Sequence, residues 1–581
     1  MNGAVNWVAV PVLLPLLGAG VSLVLAGRPR AQRLLSTAVL LGMAGVAVVL
    51  LRLADTEGPQ TLWVGGWPPT MGIVLVADRL AALLLLVSAL VTLAVLGYSI
   101  GQGMAEDEES APLAIYHPTF LVLVAGVANA FLAGDLFNLF VSFEMLLFAS
   151  YVLLTLGGTV ARIRAGTIYV LVNLLSSTLF LISLAVVYAA TGTLTLAHLS
   201  QRLAELPDHV SLMLQLLLLT TFAIKAAVFP LSFWLPDSYP TAPAPVTAVF
   251  AGLLTKVGVY AMLRTQTLLF PESPLTDLLL WAALATLVVG ILGALAQSDI
   301  KRMLSFTLVS HIGYLMLGIA LGSTAGVAGT IFYVVHHITV QTALFLVVGL
   351  VERRAGSTSL VRIGGLARIA PLLAVLFFVP AMNLAGIPPF SGFIGKVGLL
   401  QAASERGTWL AWVLVAGGVV TSLLTLYAVA KTWAVAFWRT PAEAHQALVE
   451  LGALQTDDSG TEHVAADPLP GHDTAPVAEH RGHLHTAAGV VPAQAVLEAR
   501  QLAEEGEQQR DFYQLIEAGE DTRHLPASMV GPAAALVAMS VALTVVAGPL
   551  FAYSTRAAQD LTERTPYLES VLGDAQAEGE R

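Results

Sequence analysis

The sequence predicts an all-α, polytopic membrane protein with about fourteen transmembrane helices. Hydrophobic residues make up 56% of its 581 residues and charged residues only 12%, whereas soluble domains carry about 25% charged residues. Fourteen apolar stretches follow one another, each close to the roughly 20 residues that a helix needs to cross a hydrocarbon core about 30 Å thick. This pattern excludes a soluble globular enzyme, and the chain lacks the basic face of a nucleic-acid-binding protein.

The predicted spans are read from these stretches in chain order. They lie near residues 5–26, 34–54, 73–99, 113–133, 136–157, 165–190, 210–235, 244–269, 275–297, 303–322, 327–350, 370–400, 408–438 and 528–553. The seventh ends with Pro230 and Pro236, and the twelfth contains Gly386-Ile387-Pro388-Pro389. Because proline interrupts helical hydrogen bonding, we expect both to be broken helices. Such breaks are tolerated at membrane depth only against protein or a watery cavity.

The net charge of −11 is concentrated in two appendages. Residues 441–525 hold 16 acids and four arginines, a balance of −12, and residues 553–581 hold six acids and three arginines, a balance of −3. The remainder is therefore −11 + 12 + 3 = +4. We expect an acidic, His-containing insert at 439–527, a last span at 528–553 and an acidic tail at 554–581. The seven histidines of the insert fit no zinc-ligand spacing, the chain has no cysteine, and we expect neither a metal nor a cofactor.

The loop charges predict the orientation in the membrane. The odd-numbered short loops carry eleven Arg and Lys residues, and the even-numbered loops carry five. Because Lys- and Arg-rich loops stay cytoplasmic, both termini and the tail are predicted outside and the insert inside.

Lysines and arginines are segregated along the chain. Nearly all 23 arginines fall in predicted loops or at span ends, and Lys301 is predicted in a loop. The other four of the five lysines fall inside predicted spans: Lys225, Lys256, Lys396 and Lys431. A charge at mid-membrane costs roughly 2.5–3.5 kcal/mol, and lysine can change its protonation state on burial whereas arginine cannot. The pattern therefore favours proton movement.

Acidic and histidine residues complete a candidate proton path. Glu144 lies nine residues after Asp135, about 13.5 Å along a helix, which places a carboxylate near the membrane midplane. His311, His336 and His337 also fall inside spans. A carboxylate paired with a lysine from another helix would form a switchable ion pair. The alternative is a permanent salt bridge that only holds helices together.

Four segments resemble the D subunit of Mrp-type multisubunit cation/proton antiporters, a family related to the antiporter-like subunits of respiratory complex I. They are Gly134-Asp135-Leu136-Phe137-Asn138-Leu139-Phe140 with Phe143-Glu144, Lys225 with Phe229-Pro230-Leu231, Leu254-Thr255-Lys256-Val257-Gly258, and Gly386-Ile387-Pro388-Pro389-Phe390-Ser391-Gly392 with Lys396. The resemblance implies helices 1–3 at 1–100 and two inverted five-helix repeats, at 113–269 and 275–438, broken at helices seven and twelve.

The resemblance also implies a role for each candidate residue. Glu144 and Lys225 would form the switchable pair, Lys256 and His337 would continue the path, and Lys396 would end it. Supporting positions are Asp135, His311, His336, Lys431 and Gln341. Many family members have lysine where this chain has Gln341, so one titrating group of the usual path is absent.

The favoured function is the proton-translocating subunit of a secondary antiporter that exchanges H⁺ for Na⁺ or another monovalent cation and contributes to pH homeostasis. The resemblance implies other hydrophobic subunits as partners, no enzymatic activity of its own, and a bacterial or archaeal cell membrane. One alternative is a proton-pumping membrane subunit of complex I or of a membrane-bound hydrogenase. Another is a structural scaffold with static ion pairs.

Overall fold

Helices form most of the described chain, which confirms the predicted fold class. The computed structural model describes residues 7–67, 72–103, 113–156, 158, 160–440, 443, four short strands within 454–491, and 525–573. The predicted insert lies mostly outside the described residues. Thirteen helices within the described ranges are long and apolar enough to cross a membrane, and the twelfth predicted span is divided into two further helices.

The α-helices are numbered in chain order. Those before the first break are α1 (Val10–Val24), α2 (Pro29–Thr56), α3 (Arg79–Gln102), α4 (Leu113–Leu132), α5 (Leu136–Thr155), α6 (Val160–Thr191), α7 (Leu196–Ala204) and α8 (Asp208–Ala226). Those between the first and second breaks are α9 (Trp234–Ser238), α10 (Ala244–Val249), α11 (Thr255–Leu268), α12 (Thr276–Leu295), α13 (Ile300–Leu321), α14 (Thr324–Ala355), α15 (Leu366–Ile369) and α16 (Pro371–Ala385). The remainder are α17 (Ser391–Arg406), α18 (Trp409–Trp433), α19 (Ala527–Val545), α20 (Ala547–Glu563) and α21 (Thr565–Leu572).

Shorter elements connect these helices. The 3₁₀ turns are Trp7–Ala9, Val64–Gly66 and Tyr239–Thr241, and the π-helical turns are Phe250–Leu254 and Ala434–Trp438. Strand β1 (Gln60–Trp63) pairs antiparallel with β2 (Val74–Ala77), with Gln60 opposite Ala77. Two further hairpins lie in the insert: β3 (Leu454–Thr456) with β4 (Glu462–Val464), and β5 (Leu484–Thr486) with β6 (Gly489–Val491).

Both predicted helix breaks are present. Helix α8 ends at Ala226, Ala227 adopts the left-handed conformation (φ 58°), and the chain resumes helical structure at Trp234. Helix α16 ends at Ala385, Gly386 has φ 83°, and α17 begins at Ser391. Each break frees backbone carbonyls that would otherwise accept intrahelical hydrogen bonds. The breaks therefore place backbone carbonyls inside the helical core, where side chains can reach them.

Two predicted placements are wrong. Lys301 is predicted in a loop, but it is the second residue of α13 and forms a 2.7 Å ion pair with Glu352 at the end of α14. The helix begins earlier because Asp299 caps it by accepting a hydrogen bond from the backbone N–H of Arg302. Arg264 is the other: it is one of the five basic residues counted for the even-numbered loops, although the predicted span 244–269 contains it, and it lies within α11 and pairs with Asp78 at 2.6 Å. This ion pair allows the arginine to be buried.

Helix α14 lies at the centre of the molecule. It packs against α3, α10, α13, α16, α17, α19 and α20, and most of its residues are buried. The predicted last span is divided at Val546, where α19 ends and α20 begins. Helix α14 therefore contacts both the broken twelfth span and the C-terminal helices.

Candidate functional site

Helix α5 begins at a buried aspartate and carries the candidate glutamate. The Asp135 carboxylate caps the helix by accepting a 2.6 Å hydrogen bond from the backbone N–H of Asn138. Its other oxygen is buried without a hydrogen-bond partner. Burial raises the pKa of the Asp135 carboxyl to about 6, although the backbone donors of the cap oppose this shift. Glu144 lies two and a half turns further along α5, half-buried, with a buried Oε1 that has no hydrogen-bond partner.

Lys225 occupies the last turn of α8, beside the first helix break. Its Nζ donates to the backbone and side-chain oxygens of Asn173 at 3.4 and 3.3 Å and to the Ser177 hydroxyl at 3.4 Å. It also lies 5.5 Å from the centre of the Phe143 ring. Lys225 and Glu144 interact electrostatically, but they form no direct ion pair among the described residues. The predicted pair is therefore not in direct contact in this structure.

A small cavity adjoins the Lys225 amine. It is lined by Phe143, Tyr169, Asn173, Trp234 and other residues, and leaves about 20 Å³ for the centres of water molecules. A space of about 10–15 Å³ by this measure holds one water. Asn173 and Ser177, which sequence reasoning missed, hold the lysine at this cavity. Their i, i+4 spacing on one face of the apolar helix α6 is the signal that could have found them.

Lys256 lies at the start of α11, fully buried. Its Nζ donates a 2.6 Å hydrogen bond to the backbone carbonyl of Ala251, which belongs to the π-helical turn Phe250–Leu254. Such turns leave carbonyls out of the regular i→i−4 ladder and occur often at functional sites. Gly258 packs so closely on Lys225 and Ala226 that an added Cβ would lie 2.7 Å from the Ala226 nitrogen. This close approach brings the backbones of the two lysine-bearing helices together.

Three histidines form a buried cluster between α13, α14 and α17. The rings of His311 and His337 stack with centres 5.2 Å apart, and His311 Nδ1 is hydrogen-bonded to the Tyr333 hydroxyl at 2.8 Å. His336 Nδ1 is hydrogen-bonded to the Ser391 hydroxyl at 3.0 Å. Neither ring nitrogen of His337 has a hydrogen-bond partner among the described residues. His337 is within electrostatic range of both Lys256 and Lys396.

Lys396 lies at the second helix break. Its Nζ donates to the carbonyls of Leu384 and Ala385 at 3.1 and 3.0 Å, and it lies 5.1 Å from the centre of the Tyr314 ring. Gly386 is required here, because its φ is 83° and a Cβ would lie 2.9 Å from the lysine side chain. The break thus supplies both the acceptors and the space for the amine.

Two supporting residues lie at the edge of this arrangement. Gln341 is fully buried on α14 and donates a 2.9 Å hydrogen bond to the Leu304 carbonyl, while its own oxygen has no partner. Lys431 is half-buried and donates a 3.1 Å hydrogen bond to the carbonyl of Leu295, the last residue of α12. Lys431 is therefore in contact with a helix end and outside the histidine cluster. Among the described residues, no group of three or more potential ligands could hold a metal ion.

Comparison with known proteins decides the family. The family described as "NADH:quinone oxidoreductase/Mrp antiporter, TM" matches residues 133–425. The chain is 39% identical to the D subunit of the Na⁺/H⁺ antiporter of Alkalihalophilus pseudofirmus over 436 residues, which are 74% of this chain and 87% of that protein. The chain belongs to this NADH:quinone oxidoreductase/Mrp antiporter family. It is also 38% identical to the D subunit of the Na⁺/H⁺ antiporter of Bacillus subtilis, over 76% of this chain and 90% of that protein.

Solved structures share this fold. A chain of the Mrp complex from Dietzia sp. DQ12-45-1b is 33% identical, with a TM-score of 0.79 over 98% of this chain and 100% of that chain. A chain of respiratory complex I from Thermus thermophilus is 23% identical, with a TM-score of 0.70 over 96% of this chain and 99% of that chain. The protein is therefore a multi-pass membrane protein with the fold shared by Mrp and complex I membrane subunits.

Proposed function

We propose that this chain is the proton-translocating subunit of a multisubunit Na⁺/H⁺ antiporter in a bacterial or archaeal cell membrane. Its relatives at 38% and 39% identity are the D subunits of such antiporters, and the neighbour at 33% identity belongs to an Mrp complex. The other subunits of the complex, the lipid bilayer, H⁺ and a monovalent cation are then its partners. Both termini lie outside, as the loop charges indicate.

One observation carries the proposal. Lys225, Lys256 and Lys396 are each at most 7% exposed, and none of the three forms an ion pair with a described carboxylate. A static scaffold would keep its buried charges paired, because an unpaired buried charge costs several kcal/mol. Amines that are bonded only to neutral oxygens can gain and lose a proton without breaking a salt bridge. This arrangement supports transport rather than a purely structural role.

The proposed path follows the order of the buried groups. A proton moves between Glu144 and Lys225, passes Lys256 and reaches Lys396 by way of His337. The supporting residues of this path are Asp135, His311 and His336. Water is needed between Glu144 and Lys225, where the side chains do not touch, and beside Gln341, where the usual lysine is absent. The segments 113–269 and 275–438 act as inverted repeats in this scheme.

Exchange measurements on the assembled complex in membrane vesicles test the proposal. Lys225→Ala is expected to abolish Na⁺-dependent proton movement, because it removes the amine that interacts electrostatically with Glu144. Lys301→Ala is the matched control, since Lys301 already has an ion-pair partner in Glu352, and it is expected to retain exchange. Full Na⁺/H⁺ exchange by the Lys225→Ala complex would refute the proposal. Exchange that required an electron donor would favour the complex I alternative.

A further inference from the structure

A chain of hydrogen bonds joins the second helix break to the histidine cluster. It consists of Asn383 near the end of α16, Ser391 at the start of α17 and His336 in α14, and all three side chains are fully buried. The Ser391 hydroxyl lies 3.3 Å from Asn383 Oδ1 and 3.0 Å from His336 Nδ1. Which atoms in this chain carry the hydrogens depends on the groups that are fixed at its asparagine end.

Two backbone groups fix the orientation of the Asn383 amide. The backbone N–H of Gly392, which can only donate, lies 2.9 Å from Oδ1. The backbone carbonyl of Ser540 in α19, which can only accept, lies 3.2 Å from Nδ2. Exchanging the oxygen and the nitrogen of this amide would place two donors against each other and two acceptors against each other. The atom that faces Ser391 is therefore the amide oxygen, an acceptor.

The orientation of the amide determines the direction of the next hydrogen bond. A hydroxyl has one hydrogen, and the Asn383 oxygen accepts the hydrogen of Ser391. The Ser391 oxygen then offers only lone pairs to His336, so the ring nitrogen that faces it, Nδ1, carries a hydrogen and donates it. If the hydroxyl donated to Nδ1 instead, two acceptor oxygens 3.3 Å apart would face each other without a hydrogen between them.

The other ring nitrogen of His336, Nε2, is left with a lone pair. It is buried and has no hydrogen-bond partner among the described residues. A Cβ added to Gly392 would lie 3.0 Å from it, so Nε2 faces the first turn of α17. Lys396 follows Gly392 by four residues, on the same face of that helix, and is within electrostatic range of His336. The ring thus presents a proton acceptor to the helix face that carries the lysine.

The same asparagine holds the two sides of the break together. Its hydrogen bond with the Gly392 N–H ties the end of α16 to the start of α17. Gly392 has to be glycine here, because an added Cβ would overlap the Asn383 carbonyl. The next two residues of α16, Leu384 and Ala385, supply the carbonyls that accept hydrogen bonds from Lys396. Asn383 therefore contacts the surroundings of both the histidine and the lysine.

We propose that Asn383 is a positioning residue, which acts through Ser391 to hold His336 with a hydrogen on Nδ1 and so makes Nε2 the atom that takes up a proton. The inference rests on the proposed function for the use of that proton in transport. When Nε2 gains a proton the ring becomes an imidazolium, and when Nε2 loses it the same neutral tautomer returns. Because Nδ1 donates to Ser391 in both states, the hydrogen bonds at the helix break stay in place during turnover.

Solid-state ¹⁵N NMR of the assembled complex with ring-labelled histidine tests the tautomer directly. A ring nitrogen that carries a hydrogen resonates at a different frequency from one that does not, and the signals of His336 are those missing from the His336→Gln complex. At high pH we expect a hydrogen on Nδ1 of His336 and none on Nε2. A hydrogen on Nε2 at high pH, with or without one on Nδ1, would overturn the proposal.

Two variants distinguish this positioning from general support of the fold. Ser391→Ala removes the acceptor of the Nδ1 hydrogen, and Asn383→Leu removes the group that orients the serine hydroxyl. In both complexes we expect a fraction of His336 to carry its hydrogen on Nε2. An unchanged tautomer in whichever of the two assembles would contradict the proposal.

Thr544→Val is the matched control for these variants. The Thr544 hydroxyl of α19 accepts a 3.0 Å hydrogen bond from the backbone N–H of Ser391. Its removal loosens the same helix break and leaves the chain from Asn383 to His336 intact, so we expect the Nδ1 tautomer to remain. A change of tautomer as large as that in Ser391→Ala would mean that Asn383 only supports the fold.

Na⁺/H⁺ exchange in vesicles connects the tautomer with transport. Ser391→Ala is expected to slow exchange several-fold, whereas Ser391→Thr keeps the hydroxyl and is expected to retain most of the rate. Exchange at the unaltered rate in the Ser391→Ala complex would overturn the use of Nε2 in transport. The expected tautomer in an unaltered complex that exchanges no Na⁺ would contradict the proposed function and leave the positioning role of Asn383 standing.

Discussion

Replacing Lys256 by methionine should abolish transport and make the protein more stable. The side chain is fully buried and has one hydrogen bond, to the Ala251 carbonyl. Holding a lysine at mid-membrane costs about 2.5–3.5 kcal/mol on the insertion scale, and a hydrogen bond contributes about 0.5–1.5 kcal/mol. Methionine has a similar length and shape without the charge, so the net gain in the free energy of unfolding is roughly 1–3 kcal/mol by these two terms.

Two measurements on the same preparation check this prediction. Thermal unfolding of the detergent-solubilised complex gives the change in stability, and Na⁺/H⁺ exchange in vesicles gives the activity. Lys301→Met is the matched control: it breaks the ion pair with Glu352 and is expected to lower stability slightly while exchange continues. A Lys256→Met complex that unfolds more easily, or that exchanges normally, would refute the reasoning. Either result would mean that the amine is a structural element.

Three further outcomes are expected. Asp78→Asn removes the ion-pair partner of the buried Arg264 and should lower the free energy of unfolding by about 3–5 kcal/mol. Asp55→Asn, at a part-exposed ion pair, should lower it by about 1 kcal/mol or less. Equal midpoints of thermal unfolding for the two variants would contradict this. Burial raises the pKa of Asp135 from 3.8 to about 6, so its contribution to stability is complete below pH 4 and is lost as the pH rises through 6. Asp135→Asn, which keeps a good helix cap, should flatten the stability profile between these values, and an unchanged profile would rule out the titration. His337→Phe should keep the stacking on His311 and the midpoint of unfolding but reduce exchange, and an undiminished exchange rate would remove His337 from the path.

Much of the fold could be predicted because its causes are local. A run of about 20 apolar residues is long enough to span a bilayer wherever it occurs, and the breaks at Pro230 and at Gly386-Ile387-Pro388-Pro389 follow from the covalent chemistry of proline and glycine. The placement of Arg264 could not be predicted, because its burial depends on Asp78, which lies 186 residues earlier in the chain. A charge count cannot distinguish a loop arginine from one that meets such a partner.

The candidate site was predicted by residue type, and its contacts were not. A lysine inside an apolar stretch is conspicuous because placing its charge inside a membrane is energetically unfavourable, so Lys225, Lys256 and Lys396 stand out in the sequence alone. Asn173 and Tyr314 do not, since a polar amide or a tyrosine is ordinary in a helix, and only packing brings each one to an amine. The family resemblance also implies a pair between Glu144 and Lys225, and in the structure the Phe143 ring and the Asn173 amide group lie against the amine.

The contacts of the four intramembrane lysines suggest why this chain breaks its helices. Each amine reaches at least one backbone carbonyl, and the acceptors for three of them lie at helix irregularities: Ala251 in a π-helical turn, Leu384 and Ala385 at the end of α16, and Leu295 at the end of α12. Carbonyls at such positions carry partial negative charge and lack intrahelical donors. They can stabilise a protonated amine, yet they cannot take its proton as a carboxylate would. A helix break can therefore hold a lysine that changes its protonation state without a carboxylate in contact with it.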